Sequence, residues 1–271
     1  RDDSTDTQLR LVSALVLAGR AGEAKGLLDR LPRDTAAARA ARVEVLTALG
    51  DKAGLRAIYA AELDRPDASR AERDQAAFDL LSVGGAAQAL DYLEMRAAET
   101  GAAPDGEQWL FAFADAARDA GQAGRLARFL EEQLLSGQLT AAQAETRLAL
   151  LVDRAPADAL RFLSQHAERR GGAWATAYQE LLRSRGDRSA LAAFLLEEGL
   201  DPRAPAERRR EAAFGLLDLG DKAGAIRIFR TLAAGGSADS GDARQLAYLW
   251  GPRPGPAALD WVEGQALAAG G

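Results

Sequence analysis

A near-verbatim phrase that returns at a distance constrains this chain more than any other feature. Gly50-Asp51-Lys52-Ala53-Gly54 is followed by Leu55, Ile58 and Tyr59, and Gly220-Asp221-Lys222-Ala223-Gly224 by Ala225, Ile228 and Phe229. The copies stand 170 residues apart, five times 34. With further turns at Gly19, Gly84, Gly121, Arg154 (in Arg154-Ala155-Pro156), Gly186 and Gly251, successive spacings are 31, 34, 37, 33, 32, 34 and 31 residues. Eight short units of this period cannot each bury an apolar face alone, so they must stack on one another.

Each unit reads as two helices. Upstream of the turn lies a helical apolar stripe, as in Leu9-Leu11-Val12-Leu15-Val16, Phe78-Leu80-Leu81 or Phe214-Leu216-Leu217 (helix A). Downstream lies a second, as in Ala24-Leu27-Leu28-Leu31, Leu126-Phe129-Leu130-Leu134 or Leu191-Phe194-Leu195 (helix B). Glycine suits the left-handed residue that ends helix A, and Asp51, Asp187 and Asp221 stand where they can cap helix B. Ser69 with Glu72, Asp105 with Gln108 and Thr140 with Gln143 read as capping boxes opening successive A helices. Pro-, Gly- and Ser-containing connections at 64–69, 101–105, 201–205 and 235–240 separate the units.

The expected fold is therefore all-α: an alpha-alpha superhelix of about sixteen helices, each about 10 to 14 residues long. One repeat domain covers 1–271, with units at roughly 6–34, 35–69, 70–105, 106–140, 141–172, 173–205, 206–240 and 241–271. High helix propensity supports this, since Ala, Leu, Arg, Glu and Gln dominate and aromatics are only 6%.

Composition narrows the chemistry. Without cysteine there are no disulfides, thiolate metal sites or cysteine nucleophiles. Asparagine is also absent and lysine occurs only at 25, 52 and 222, which reads as a GC-rich bacterial genome. Net charge is −6, with 17 basic against 23 acidic residues through Ser136 and 17 against 17 beyond. A nucleic-acid partner is disfavoured, because phosphate neutralisation needs a basic excess. No run of 18 apolar residues is present, so no membrane insertion of this segment is expected. The chain opens on Arg1-Asp2-Asp3 and its one methionine is Met95, which suggests an excised or processed piece of a longer protein.

Period, turn and helix-B pattern resemble the tetratricopeptide repeat family over nearly the whole chain. The family's small or apolar residue five positions after the turn is matched by Ala24, Leu55, Ala89, Leu126, Ala159, Leu191, Ala225 and Pro256. Its large apolar residue nine positions after is matched by Leu28, Tyr59, Leu93, Leu130, Leu163, Leu195 and Phe229. Helix A departs, since the Trp, Gly and Tyr signature is largely missing. The resemblance implies a right-handed superhelix whose concave A-helix face holds a protein or peptide partner, with a polysaccharide as a further class. Carried over by distance from each turn, the groove residues are Glu44, Asp74, Phe78, Phe111, Asp115, Arg118, Glu180, Arg183, Arg210 and Phe214. Long degenerate arrays of this kind also occur in bacterial exopolysaccharide export systems, an analogy that points to the periplasm while composition leaves the compartment open.

Other candidate features have plain structural readings. His166 is the only histidine and has no Ser or Cys motif beside it, so a partly exposed helical histidine is expected. Gly215 to Lys222 has the glycine spacing of a phosphate loop, but Asp221 stands where lysine is required. Glu131-Glu132 and Glu197-Glu198 are expected on solvated faces, since adjacent helical residues diverge. Arg208-Arg209-Arg210 opposes the dipole at a helix start, which makes a binding use a candidate, while salt-bridging to a neighbouring repeat or plain solvation is the expected reading. The tryptophans at 109, 174, 250 and 261 are expected in packing, and Trp250 to Pro256 reads as a terminal cap, with a docking corner as the sharper alternative. The function expected is a non-catalytic interaction scaffold without cofactor or metal. The alternatives are a structural spacer in a longer protein and a helical-array enzyme with a site assembled from several repeats.

Overall fold

The computed structural model of the protein describes residues 3–32, 35–99, 106–166, 172–234 and 240–269. Among them every regular element is an α-helix. The chain folds as two compact units, Arg1–Phe129 and Leu130–Gly271, with the boundary inside the eighth helix.

The first unit holds α1 (Asp3–Leu17), α2 (Ala21–Leu28), α3 (Ala36–Leu49), α4 (Lys52–Leu63), α5 (Arg70–Ser82), α6 (Ala86–Glu99), α7 (Gly106–Asp119) and the start of α8 (Ala123–Leu135). The second holds the rest of α8 and then α9 (Ala141–Arg154), α10 (Pro156–Gln165), α11 (Ala173–Ser184), α12 (Arg188–Leu200), α13 (Ala206–Asp218), α14 (Lys222–Ala234), α15 (Ser240–Trp250) and α16 (Pro256–Ala269). Odd-numbered helices are the A helices and even-numbered ones the B helices. The closely packed helix pairs are all one or two places apart in chain order, such as α4 with α5, α1 with α3 and α12 with α14.

The expected turns have one shared chemistry. Gly19, Gly50, Gly84, Gly121, Gly186 and Gly220 all have φ between 66° and 86°. In each, two N–H groups turn back to the helix just ended: at Gly50, its own N–H reaches Thr47 O at 3.0 Å and Asp51 N–H reaches Leu46 O at 2.9 Å. That paired closure satisfies carbonyls the helix end would otherwise leave bare, and glycine alone enters the left-handed region without a Cβ penalty. The two exceptions follow from proline. After Gly251 (φ 79°) comes Pro252, which has no N–H to donate the second bond. At Arg154-Ala155-Pro156 the break occurs at Ala155 with φ −140°, and Pro156 opens α10.

Caps then start the following helices. Asp51, Asp187 and Asp221 accept from Gly54, Ala190 and Gly224 N–H at 2.9, 3.0 and 2.8 Å. Both bonds of the capping box form at Ser69/Glu72 and at Thr140/Gln143. The third box, led by Asp105, lies outside the described residues, as do the connections 101–105 and 235–239.

Apolar stripes close the core. In the first unit Val12, Ala24, Leu28, Leu31, Ala41 and Val45 form one cluster. In the second, Leu182, Phe194, Leu195, Leu216, Ile228, Phe229 and Leu246 belong to another. Of the residues five places after a turn, Pro256 alone is exposed and the other seven are buried. Of those nine places after, Tyr59 is half-buried and the other six buried. Arginines tie neighbouring helices at the periphery. Arg56 and Arg188 donate to Val83 O (3.0 Å) and Leu219 O (3.2 Å), putting positive charge at the C-terminal ends of α5 and α13 where the helix dipole favours it.

Candidate functional site

The A-helix positions proposed for a groove divide into groups the fold already uses and groups it leaves outward. In the first unit, Ser13 on α1 donates to Glu44 on α3 at 2.8 Å, two residues that each stand six places before a turn. Asp74 on α5 accepts from Tyr92 Oη at 2.6 Å and from Arg96 Nε at 2.8 Å, both on α6. Arg96 is only 6% exposed, and its guanidinium lies 4.4 Å from the centre of the Trp109 ring on α7. Burial, then its bond to Asp74, pushes the Tyr92 hydroxyl up to about 12. Phe78 lays its ring 5.0 Å from buried Trp109 yet keeps 39% of its surface in solvent. The cluster thus links α5, α6 and α7 and presents Phe78 at its edge.

Further along, Phe111 on α7 is 44% exposed while Phe113, two residues on, is fully buried against Phe129. Asp115 and Arg118 form an ion pair at 3.3 Å, and Arg118 also bonds Asp119 at 2.9 Å. Asp115 is half-buried and Arg118 exposed. The first unit therefore brings Phe78 and Phe111 to the surface of neighbouring A helices, with Asp115 and Arg118 one and two turns beyond Phe111 on α7.

In the second unit, Glu180 and Arg183 are exposed on α11 and pair at 3.9 Å. Phe214 on α13 is 48% exposed, with its ring edge-on to buried Phe229 at 5.5 Å. Arg210 is committed elsewhere: its fork spans both oxygens of Asp242 on α15 at 2.7 and 2.8 Å.

Sequence reasoning missed a cleft in the first unit. Helix α1 packs directly on α3, but α3 and α5 are not a closely packed pair. The gap is an apolar lobe of about 450 Å³, walled by Ala36, Ala40 and Val43 of α3 and Ala71 and Ala76 of α5, over Ile58 and Tyr59 of α4. An adjoining lobe of about 460 Å³ between α3 and α4 is lined by Arg39, Arg42 and Arg65 with Ala57 and Ala61. Arg39, Ile58 and Glu62 line both. The available signal was the alanine content of α3 and the start of α5, where small side chains on facing helices leave volume unfilled.

The remaining candidates are absorbed by packing. Arg208 pairs with Glu198 at 3.0 Å and Arg209 donates to Gly199 O at 2.9 Å, so with Arg210 the whole run bonds other helices. The glutamate doublets depart from the expected solvated faces. Glu198 is 8% exposed and held by Arg208 and Gln179, and Glu131 takes Arg161 at 2.6 Å. Divergence of adjacent residues sends one of each doublet inward to a neighbouring helix. His166 caps the end of α10 with its ring 4.9 Å from Phe162, while its sequence neighbours 168–170 lie outside the described residues. Trp109 is buried, Trp174 stacks on Phe162 at 5.3 Å, and Trp250 meets Trp261 edge-on at 5.5 Å. Gly215 to Lys222 is the last turn of α13, the turn at 219–221 and the first residue of α14.

Among the described residues, no group of three or more His, Asp or Glu is arranged to hold a metal ion, and no helix is long and apolar enough to cross a membrane. In comparisons with known proteins, no family model matches the chain and no curated protein matches it.

Proposed function

We propose that this protein is a non-catalytic scaffold that holds a protein or peptide partner on its A-helix face, as the tetratricopeptide-like period suggests. One observation supports this above the others. Phe78, Phe111 and Phe214 keep large aromatic surface in water at A-helix positions, although the buried faces of the same helices are packed. Exposed aromatics on a rigid helical frame are the usual anchors of an interface, and the exposed guanidiniums of Arg118 and Arg183 can exchange their weak surface pairs for a partner carboxylate. A bacterial envelope assembly, such as one exporting an exopolysaccharide, is the setting we propose by analogy alone.

The test is a displayed random-peptide library selected against the immobilised chain. Selected peptides should bind saturably; those held by the first unit should be weakened by Phe111→Ala and Arg118→Ala, and those held by the second by Phe214→Ala and Arg183→Ala, without loss of helicity or melting temperature. Peptides that bind all four variants as they bind the parent would remove the A-helix face from consideration.

A further inference from the structure

The two-lobed cleft of the first unit has a chemistry of its own. Each lobe falls within the size range of small-ligand sites, roughly 300 to 1,000 Å³, and one is mainly apolar while the other is basic. The guanidiniums of Arg39, Arg42 and Arg65 and the carboxylate of Glu62 line the basic lobe, where Arg65 is further held by Glu72 and Asp67.

The arginines are not equally committed. Arg65 bonds Glu62 and Glu72 at 2.9 and 2.8 Å through Nη2, while its buried Nε has no hydrogen-bond partner among the described residues. Arg39 stands 3.7 Å from Glu62, too far for an N–H···O bond, and its side chain is 33% exposed. Its guanidinium therefore ion-pairs with Glu62 without a hydrogen bond, at the junction of the lobes. A ligand carboxylate can take it while Glu62 stays on Arg65, so no charge loses its partner.

We infer that this cleft binds a small amphipathic anion, an apolar chain or ring bearing one carboxylate. The apolar body lies among Ala40, Val43, Ile58 and Ala76, and the carboxylate lies on Arg39. Orientation follows from charge. Glu72 and Asp79 stand on the α5 side of the apolar lobe and repel an anionic head there, leaving the basic lobe as its place. The same carboxylates disfavour a dianion such as a phosphate monoester. An ammonium head meets the guanidiniums of the basic lobe, and a neutral head gains no charge-assisted bond from Arg39.

The experiment titrates the isotope-labelled chain with octanoate, octan-1-ol and octylammonium and follows backbone amide shifts. Octanoate should saturate at one per chain, shift amides of α3, α4 and α5, and bind at least about tenfold more tightly than octanol, the worth of one good charge-assisted contact. Octylammonium should not bind. Arg39→Gln should remove the advantage of octanoate over octanol, and Ala40→Phe, which fills the apolar lobe from an exposed position, should weaken both. The inference is overturned if octanoate fails to saturate, if it binds no better than octanol, if shifts centre outside α3 to α5, or if Arg39→Gln binds octanoate like the parent. Peptide selection on the A-helix face is scored separately, so either result stands without the other.

Discussion

Arg210 on α13 and Asp242 on α15 form a two-pronged ion pair across neighbouring A helices, with the carboxylate only 2% exposed. A group expected from sequence to face a partner instead joins two repeats. Arg210→Ala removes a two-pronged partner from a buried carboxylate, which typically costs about 3 kcal/mol. Urea unfolding should show a loss of that order, and a double variant with Asp242→Asn should recover part of it. Unchanged stability in Arg210→Ala would return the residue to the binding surface.

Phe111 and Phe113 make the sharpest contrast between outward and inward aromatics on one helix. Phe113→Ala removes a fully buried ring and should cost about 3 to 5 kcal/mol, whereas Phe111→Ala, at 44% exposure, should stay within about 1 kcal/mol. Thermal or urea melts of the two variants settle it. A large loss in Phe111→Ala would mean the ring serves the core.

Gly199 marks a close approach of α12 to α14. A Cβ built there would lie 2.1 Å from Ile228 Cδ1 and 2.7 Å from Cγ1. Gly199→Ala should therefore destabilise by about 1 to 3 kcal/mol through overpacking. Combined with Ile228→Val, which deletes the nearest methyl, the loss should be smaller than the sum of the single changes. Strict additivity would show that the helices shift apart freely.

Glu72 links stability to acid. Its carboxyl is held at about 2, below the ordinary 4.5, first by the Ser69 backbone N–H, then by the Ser69 hydroxyl and Arg65. Because the folded-state value is depressed, the contribution is fully present above the ordinary value and is lost as pH falls towards 2. Carboxyl chemical shifts should titrate near 2, and Arg65→Ala should raise the midpoint only partway, since the Ser69 bonds remain. A midpoint at the ordinary value would mean the capping box is open in solution.

Much of this protein was legible because local chemistry repeats. The six glycine turns, the aspartate caps and two capping boxes depend on residues within a few positions of one another, so identity and spacing sufficed. The buried stripe of the B helices was equally readable, because helical period alone assigns one face to the core. Nothing local assigns partners across 20 or 30 residues. That Asp74 would serve Tyr92 and Arg96, and Glu44 would serve Ser13, required the packing of particular neighbours.

What the sequence by itself determined is the helical content, the turn positions and which side of each B helix is apolar, since these follow from backbone geometry and periodicity within a single unit. Tertiary structure decided which charges are spent between helices and which aromatics stay in water. It also decided where α3 and α5 stand apart to leave a cleft with Arg39 at its junction. The physical reason is range: a turn or cap is closed by atoms a few residues apart, whereas a cleft depends on how closely two helices approach, which the side chains of several units set together.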